Sequence, residues 1–221
     1  MRIVKKPEER RNEILDAAET LFTTKGYVHT TVNDILNAVG IAKGTFYYHF
    51  QSKEEVMEAI VLRFIDAGVR AAKEIASDPR LTAHEKMFRI LMAQKPEAGQ
   101  SKEQMLEQLH QVNNAEMHQK SLVESILQLT PVLTEVIEQG IAEGSFHTPH
   151  PKETVEFLLA SAQFLFDEGI FNWEPPELMQ KAVAFTHILE TTLGAAKGSF
   201  AYMLDILGQG QSEDQGEAPQ V

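Results

Sequence analysis

The side chains best suited to binding chemistry lie close together at residues 43–49. This stretch, Lys-Gly-Thr-Phe-Tyr-Tyr-His, holds one cation, one imidazole and three hydroxyl groups, and each of them can donate hydrogen bonds. Phe46 and Phe50 are four residues apart and therefore share a face of a helix. At about 100° per residue, Tyr47 and Tyr48 lie roughly 100 to 200° round that helix from Phe46. The spacing predicts a short helix that packs through the two phenylalanines and presents polar groups elsewhere.

A second short helix is predicted just before this one. Its apolar residues follow the spacing i, i+3, i+4, i+7, and Gly40 can end it because glycine adopts the left-handed conformation at little cost. Two helices joined by a tight glycine turn form a helix-turn-helix, whose second helix can enter the major groove of DNA. The apolar positions are Val32, Ile35, Leu36 and Val39.

The residues around this motif resemble the DNA-binding signature of the tetracycline-repressor (TetR) family. The resemblance covers residues 7–60, and the rest of the chain resembles the family only in being helical. It rests on Thr30-Thr31-Val32, the Val39-Gly40-Ile41 turn, Lys43-Gly44-Thr45-Phe46-Tyr47-Tyr48-His49-Phe50 and Ser52-Lys53-Glu54.

The resemblance implies two groups of DNA contacts. Lys43, Gly44 and Tyr47 occupy positions that usually reach base edges, where lysine can donate to guanine and a tyrosine ring can contact a thymine methyl. For Tyr47 and Tyr48 the alternative is ordinary packing, which we predict outright for Phe46 and Phe50. Positions that usually contact phosphates are occupied by Thr31, Thr45, Tyr48, His49 and Lys53.

The distribution of charge reconciles an acidic chain with DNA binding. The net charge is -12, but residues 1–53 hold eight Lys/Arg against six Asp/Glu, and residues 54–221 hold twelve against twenty-six. The acidic excess therefore belongs to the second part of the chain. A basic cluster ahead of the first helix can contact phosphates, or it is simply a solvated chain end. The cluster consists of Arg2, Lys5, Lys6, Arg10 and Arg11.

The composition favours a cytoplasmic protein of two domains. At 221 residues the chain can bury a large core, it has no cysteine for a disulfide framework, and its first residues lack the apolar run of a signal peptide. No segment reaches 18 uninterrupted apolar residues, so we expect no membrane span. The predicted parts are a helix-turn-helix domain at 1–51, an effector-binding and dimerisation domain at 52–207 with a connector helix at 52–77, and a disordered tail at 208–221.

Cap and breaker residues predict an all-α fold. The capping pattern Ser/Thr-x-x-Glu/Gln recurs along the chain, glycine and proline follow the helical stretches, and no strand pattern competes with them. The first three helices are expected to form the DNA-binding domain. The further helices are predicted at 52–77, at 82–95, from Ser101, from Ser121 with a kink or restart at Pro131 and an end at Gly140 or Gly144, at 152–170, and at 177–207 with a break near Gly194 or Gly198.

The last two long helices are each apolar on two faces. In the first of them Val155 and Leu158 begin one stripe, and Phe157 and Phe164 belong to a second. A helix with two apolar faces needs two partners, and one of them can be another subunit. In the family that the chain resembles, the last two long helices form a four-helix dimer interface. We therefore predict a homodimer through helices 152–170 and 177–207, which presents two recognition helices to a palindrome.

Catalytic and metal-binding signals are weak. His110, Asn114 and His118 recur every four residues and share a helix face, which is compatible with a metal, but a solvated polar face is favoured because cysteine is missing and no carboxylate is aligned with them. The sequence has no glycine-rich phosphate loop and no serine-nucleophile motif. We expect no enzyme activity, no metal and no cofactor.

A ligand pocket is expected among the helices between Thr82 and Ile170. For each apolar candidate, ordinary core packing is the alternative. Such a lining suits a lipophilic molecule, such as a fatty-acid derivative, an aromatic compound or a drug-like cation, and the sequence does not rank these. The main candidates are Phe88, Met92, Met105, Leu109, Val112, Phe164, Glu168 and Trp173, and the further ones are Met117, Ile126, Leu129, Phe157, His110, Asn114 and Gln163.

The favoured function is a dimeric, ligand-responsive transcriptional regulator of double-stranded palindromic operator DNA. The resemblance implies a repressor in which a small-molecule effector shifts the connector helix and changes the separation of the recognition helices. One alternative is a DNA-binding activator or architectural dimer without a ligand. Another is a helical binding protein or enzyme that keeps the helix-turn-helix only as scaffold. The presence of the residues expected to contact DNA argues against this second alternative; they are Lys43, Thr45, Tyr47, Tyr48 and Lys53.

Overall fold

The computed structural model describes residues 6–94, 115–167 and 169–204 of the chain. Within these ranges it contains eight α-helices of seven residues or more and no strand, which confirms the predicted all-α class. The helices are α1 Pro7–Lys25, α2 Val32–Val39, α3 Lys43–His49, α4 Lys53–Ala76, α5 Ala83–Gln94, α6 Ala115–Ala142, α7 Pro151–Leu165 and α8 Pro175–Thr192.

The described residues fall into two compact units. The first contains residues 6–68 and 115–124, and the second contains residues 69–94, 125–167 and 169–204. The boundary between the units lies inside α4 and again inside α6, so both helices contribute to both units. The boundary predicted at residue 51 stays a prediction, and the predicted tail at 208–221 and the helix from Ser101 lie outside the described residues.

The core of the first unit is built from α1, α2, α3 and the beginning of α4. The aromatic rings of Phe22, Phe46 and Phe50 are fully buried in it, together with aliphatic side chains such as Ile14 and Ile60. Burial of a large apolar side chain contributes about 1.5 to 3 kcal/mol, so these contacts fix the orientation of the short helix α3.

Most of the predicted helix ends are confirmed. Gly26 and Gly40 follow α1 and α2 with φ of 85° and 71°, values that favour glycine. At the start of α5 the Thr82 hydroxyl accepts the Glu85 N–H at 3.3 Å, and the Glu85 carboxylate accepts the Thr82 N–H at 2.8 Å. This reciprocal pair is the capping box that the sequence predicted.

Two predicted helix ends in α6 are wrong. Ser121 does not begin a helix: it lies inside α6, where its hydroxyl donates to the His118 carbonyl at 2.8 Å. Pro131 is also inside this helix and does not divide it.

The predicted end of α6 at Gly140 and Gly144 is confirmed, since α6 ends at Ala142 between the two glycines and Gly144 has a φ of 76°. Gly140 itself lies inside the last turn, beside the Phe146 ring.

The last two helices end earlier than predicted. α7 ends at Leu165 instead of near Ile170, and α8 ends at Thr192 instead of Leu207. The predicted break after α8 is confirmed, since Gly194 and Gly198 have φ of 58° and 83°. The chain after α8 therefore turns back instead of continuing as one long helix.

Candidate functional site

The turn between α2 and α3 is held by backbone hydrogen bonds. The N–H groups of Gly40 and Ile41 both donate to the Leu36 carbonyl, at 2.9 and 3.1 Å. At the other end of α2, the Thr31 hydroxyl accepts the Asp34 N–H at 3.2 Å and donates to the Asp34 carboxylate at 2.8 Å. Thr31, predicted as a phosphate contact, is exposed and serves as the cap of α2.

The aromatic residues of α3 point in two directions. Phe46 and Phe50 are fully buried, which confirms the packing predicted for them, whereas Tyr47 and Tyr48 are 40% and 74% exposed. Lys43 lies on the same side as Tyr47, with its Nζ 5.7 Å from the centre of the Tyr47 ring. The helix therefore presents a cation and two phenols on its open side.

Gly44 also lies on the exposed part of α3. A Cβ built at this position meets no atom within 4 Å, and the backbone φ is not in the left-handed region. The fold itself therefore does not require glycine here. The missing side chain leaves the helix backbone accessible, which is the property that a close approach to DNA would use.

Two residues predicted to contact phosphates, Thr45 and His49, are half-buried in α3. Burial, with the nearby Arg11 and Arg10 guanidinium groups, lowers the pKa of His49 below its ordinary value. Arg11 itself lies over the Phe50 ring, 4.9 Å from its centre. The fold thus brings two arginines of the predicted basic cluster next to the end of α3, while Arg2 and Lys5 lie outside the described residues.

Lys53 has an internal role that the sequence did not indicate. Its ammonium donates to the carbonyls of Tyr27 and Thr30 at 2.7 and 2.9 Å, and it lies 4.1 Å from the centre of the Tyr27 ring. Partial burial lowers the pKa of Lys53, and the neighbouring Glu54 opposes that shift. Lys53 therefore ties the loop before α2 to the start of α4, and its predicted phosphate contact stays a prediction.

Polar contacts attach α1 to the first part of α4. Arg63 donates to the carboxylate of Asp16 at 2.6 Å and to that of Glu19. Tyr27, in the loop after α1, donates to the Glu54 carboxylate at 3.2 Å. Burial, together with the Glu54 carboxylate, raises the pKa of Tyr27, so the phenol stays neutral. These contacts hold the helix-turn-helix and the start of α4 together as one body.

The second unit contains a cavity of about 130 Å³. Helices α5, α6, α7 and α8 and the segment after α8 all contribute to its wall, and no described residue of α4 does. The wall is mostly aliphatic, and its polar groups come from Gln94 and Tyr202. Burial raises the pKa of Tyr202, so its hydroxyl remains protonated. Of the candidates named from the sequence, Leu129 lines this cavity.

The other described pocket candidates lie elsewhere. Phe88, Met92 and Phe164 are exposed, although Phe88 packs edge-on against Tyr202 with 5.0 Å between ring centres. Trp173 stacks on Phe171 at 4.8 Å, and its indole N–H donates to a backbone carbonyl. None of the four lines the 130 Å³ cavity, so their role in ligand binding stays a prediction. Met105, Leu109, Val112 and Glu168 lie outside the described residues.

The outer face of α7 and α8 is apolar and exposed. Phe157 is 78% exposed and Ile188 is 53% exposed, and Phe164, Val183 and Met179 are exposed as well. The opposite face of the same helices is buried, with Val155 of α7 and Leu189 of α8 nearly inaccessible. Both helices thus have the two apolar faces that the sequence predicted.

Neither metal ligation nor membrane insertion has support in the described ranges. There, no three His, Asp or Glu side chains are grouped closely enough to hold a metal ion. Of the three residues in the predicted polar face, His110 and Asn114 lie outside those ranges and His118 is half-buried. The helices at 6–94, 115–167 and 169–204 include none with the length and apolar character needed to cross a membrane.

The fold and the exposed face of α3 define a helix-turn-helix transcriptional regulator that binds DNA. Residues 14–60 match the sequence model of bacterial regulatory proteins of the tetR family, and residues 97–188 match that of the tetracyclin repressor-like C-terminal domain. The chain belongs to the TetR family. Proteins of this family bind operator DNA, typically as dimers, and are generally regulators and not enzymes.

Similar proteins cover most of the chain. The uncharacterized HTH-type transcriptional regulator YhgD of Bacillus subtilis is 30% identical over 190 residues, which is 80% of this chain and 91% of that protein. The HTH-type transcriptional repressor KstR2 of Mycolicibacterium smegmatis is 29% identical over 149 residues, 63% of this chain and 69% of that protein. The structure of SmeT, the repressor of the Stenotrophomonas maltophilia multidrug efflux pump SmeDEF, superimposes with a TM-score of 0.57 at 23% identity and covers 86% of this chain and 92% of that one.

Proposed function

We propose that the protein is a dimeric repressor that binds a palindromic operator through α3 and is released by a small lipophilic effector. The observation that carries the DNA-binding part is the division of the aromatic residues in α3. Phe46 and Phe50 are fully buried, and Tyr47 and Tyr48 remain exposed beside Lys43. The Tyr47 ring packs edge-on against Phe46, but both phenols keep an exposed side that can contact base edges and phosphates.

Repression is the direction of regulation that the similar proteins favour. KstR2 and SmeT are both transcriptional repressors. An activator or architectural dimer without a ligand remains the alternative. The cavity in the second unit favours the ligand-responsive proposal, since an apolar space lined from four helices is a common form of small-molecule site.

The proposed dimer interface is the exposed apolar face of α7 and α8. Phe157, Phe164 and Ile188 are exposed there on neighbouring helices. An apolar patch that extends over two helices favours a partner surface, and a second copy of the chain supplies the same patch in a two-fold arrangement. Such a dimer presents two copies of α3 to half-sites about one helical turn apart.

The DNA-binding proposal predicts the effect of changing Tyr47. In Tyr47→Ala the ring is lost, and specific binding should weaken by about 1 to 3 kcal/mol while the dimer remains intact. Tyr47→Phe is the matched control: it keeps the ring, so a contact to a thymine methyl should survive. The measurement is fluorescence anisotropy on duplexes from the DNA beside the gene, at two salt concentrations and with competitor DNA.

The outcomes of this experiment separate the alternatives. Specific binding with dimer stoichiometry supports the regulator, and the same assay then serves to find compounds that release it. Unchanged operator affinity in Tyr47→Ala would contradict the role of α3. Weak binding that is equal on all sequences and nearly independent of salt would favour a helix-turn-helix kept as scaffold.

A further inference from the structure

The cavity in the second unit has a chemical character that narrows the range of ligands. Most of its wall is formed by aliphatic side chains, among them Ile90, Leu133 and Ile137, each of which is buried. No Asp, Glu, Lys, Arg or His is among the described residues that line it. A charged group placed in such a wall would lose its hydration without gaining a partner, at a cost of several kcal/mol.

Two buried ionisable side chains, one acidic and one basic, follow or precede wall residues in the chain. Glu190 of α8 is almost fully buried, and its carboxylate accepts the Phe200 N–H at 3.1 Å. Glu190 follows Leu189, and both Leu189 and Phe200 line the cavity. Lys86 of α5 is buried as well and precedes Met87, another residue of the wall. Because neither ionisable side chain is part of the wall, the wall itself offers no partner to a charged ligand of either sign.

The size of the cavity sets the size of the group that can enter. Its volume is about 130 Å³. An engineered protein cavity of about 150 Å³ with a similar aliphatic wall stays dry and binds benzene. The Tyr202 hydroxyl, kept neutral by burial, is suited to a single hydrogen bond with a ligand.

We propose that this cavity binds a small uncharged apolar molecule, of the size of one aromatic ring or an equivalent hydrocarbon group, and that this is the effector class of the regulator. The second half of the proposal rests on the proposed function, and the first half does not. Of the three classes that the sequence left open, the aromatic compound is the one that can fit this cavity without any charged group. A fatty acid or a drug-like cation would need its charged group outside the cavity.

Three ligands of nearly equal shape test the charge selectivity. Toluene is neutral, benzoate adds a negative charge and benzylamine adds a positive charge. The expected result is that toluene, at about five times its Kd, raises the unfolding midpoint of the full chain by about 2 to 4 °C. Benzoate and benzylamine at the same concentration should leave the midpoint unchanged. Equal or larger shifts with either ion would overturn the proposal.

Methionine methyl groups report where the ligand binds. Met87 and Met203 line the cavity, whereas Met57 is buried in the other unit and Met179 lies exposed on α8. With ¹³C-methyl methionine in the wild-type protein, toluene should shift the signals of Met87 and Met203 and leave those of Met57 and Met179 in place. Shifts confined to Met179 would place the ligand on the surface and overturn the proposal.

A cavity-filling variant gives an independent test. Leu133→Phe adds volume to the wall and should abolish the toluene shift, and Leu133→Met, which conserves volume, should keep it. If Leu133→Phe does not fold, the methyl signals of the wild type still decide the question. Binding of toluene to Leu133→Phe with unchanged affinity would count against the cavity.

The final measurement adds toluene to the complex of protein and operator in the anisotropy assay. Release of the DNA supports both the ligand class and the proposed function. Retention of the DNA, with the Met87 and Met203 signals shifted, supports the binding site and contradicts release by this effector class. This measurement therefore shows whether the binding-site proposal or the proposed function has failed.

Discussion

At the scale of single residues, a substitution at Gly44 can separate an effect on folding stability from an effect on DNA binding. Its surroundings accept a methyl group and its φ is compatible with alanine. Gly44→Ala should therefore raise the free energy of unfolding by about 0.4 to 1 kcal/mol, because alanine has less conformational freedom in the unfolded chain. The same methyl should weaken operator binding about tenfold if the backbone of α3 approaches DNA closely.

Gly140→Ala is the matched control for that experiment. An added Cβ would lie 2.0 Å from Cδ2 of the buried Phe146, so this variant should unfold more easily than the wild type. Denaturant unfolding and DNA anisotropy on both variants provide the measurements. A Gly44→Ala protein that is more stable and binds DNA as tightly as the wild type would exclude close contact at this position.

His84 is expected to make stability depend on pH. Its Nε2 is buried without a hydrogen bond, and its ring packs against both Phe146 and Phe200, which are stacked on each other. Burial lowers the pKa of His84 below 6.5, and the charge of Glu143 opposes the shift only in part. The unfolded chain therefore binds the proton more strongly, and the free energy of unfolding should fall as the pH drops below 6.5.

The variant His84→Phe tests this assignment. It keeps a ring against Phe146 and Phe200 but cannot bind a proton, so part of the stability loss between pH 6.5 and 5 should disappear. His49, whose pKa is also lowered, accounts for a further part. Urea unfolding at several pH values is the measurement, and an identical pH slope in both proteins would show that His84 is not responsible.

The residue-scale predictions from the sequence succeeded where the decisive contacts are local. The orientation of Phe46 relative to Tyr47 follows from helical periodicity alone. The internal role of Lys53 does not, because its acceptors are backbone carbonyls 26 and 23 residues earlier in the chain. Only the folded loop brings those carbonyls to one side chain.

At the scale of elements, a buried lysine connects the end of α4 with the helices that enclose the cavity. Lys86 of α5 is 4% exposed, and its Nζ donates to the Ala76 carbonyl at 2.6 Å and to the Gln139 side chain at 2.6 Å. The neighbouring Met87 lines the cavity, as does Ile137 of α6. Lys86 therefore joins the end of α4 to α5 and α6, two of the helices that line the cavity.

Replacing that lysine should therefore affect the fold. Lys86→Met keeps the aliphatic stem but leaves the Ala76 carbonyl and Gln139 without their donor, so the free energy of unfolding should fall by about 1 to 3 kcal/mol. Lys152→Met is the control, because Lys152 is exposed and forms an ion pair with Glu156 on its own helix. Its effect should stay within about 0.5 kcal/mol in the same urea titration. Equal losses in the two variants would show that the buried hydrogen bonds are not the cause.

Helix ends were predictable because caps are local, with Ser121 as the instructive exception. Ser-x-x-Glu also occurs inside helices, where the hydroxyl donates to a preceding carbonyl, as that of Ser121 does to His118.

The cavity was not predictable from residue types. Its wall consists mainly of Leu and Ile side chains from several helices, and such residues look the same in a core without a cavity. The aromatic and methionine residues chosen from the sequence lie largely on the outside.

At the scale of the whole molecule, one substitution tests the proposed dimer interface on the outer face of α7 and α8. Ile188→Asp puts a charge into an exposed apolar patch, and the variant should sediment as a monomer while it retains its fold. Val28→Asp, at a position that is 68% exposed in the other unit, is the matched control and should remain dimeric. Analytical ultracentrifugation measures both. A dimeric Ile188→Asp protein would place the interface elsewhere.

The salt dependence of dimerisation and of DNA binding gives a second test of Ile188→Asp. Each copy carries a net charge of -12, so two copies repel one another at low salt, and screening should strengthen the wild-type dimer as salt rises.

DNA binding should respond in the opposite sense, because phosphate contacts release counterions and weaken with salt. A monomer makes about half of these contacts, so the slope of log affinity against log salt for Ile188→Asp should be about half that of the wild type. Its affinity should also be equal on a full palindrome and on a single half-site, whereas the wild type should prefer the palindrome. An unchanged slope in a protein that sediments as a monomer would mean that one subunit makes all the phosphate contacts, and the two-fold arrangement of α3 on the operator would then be wrong.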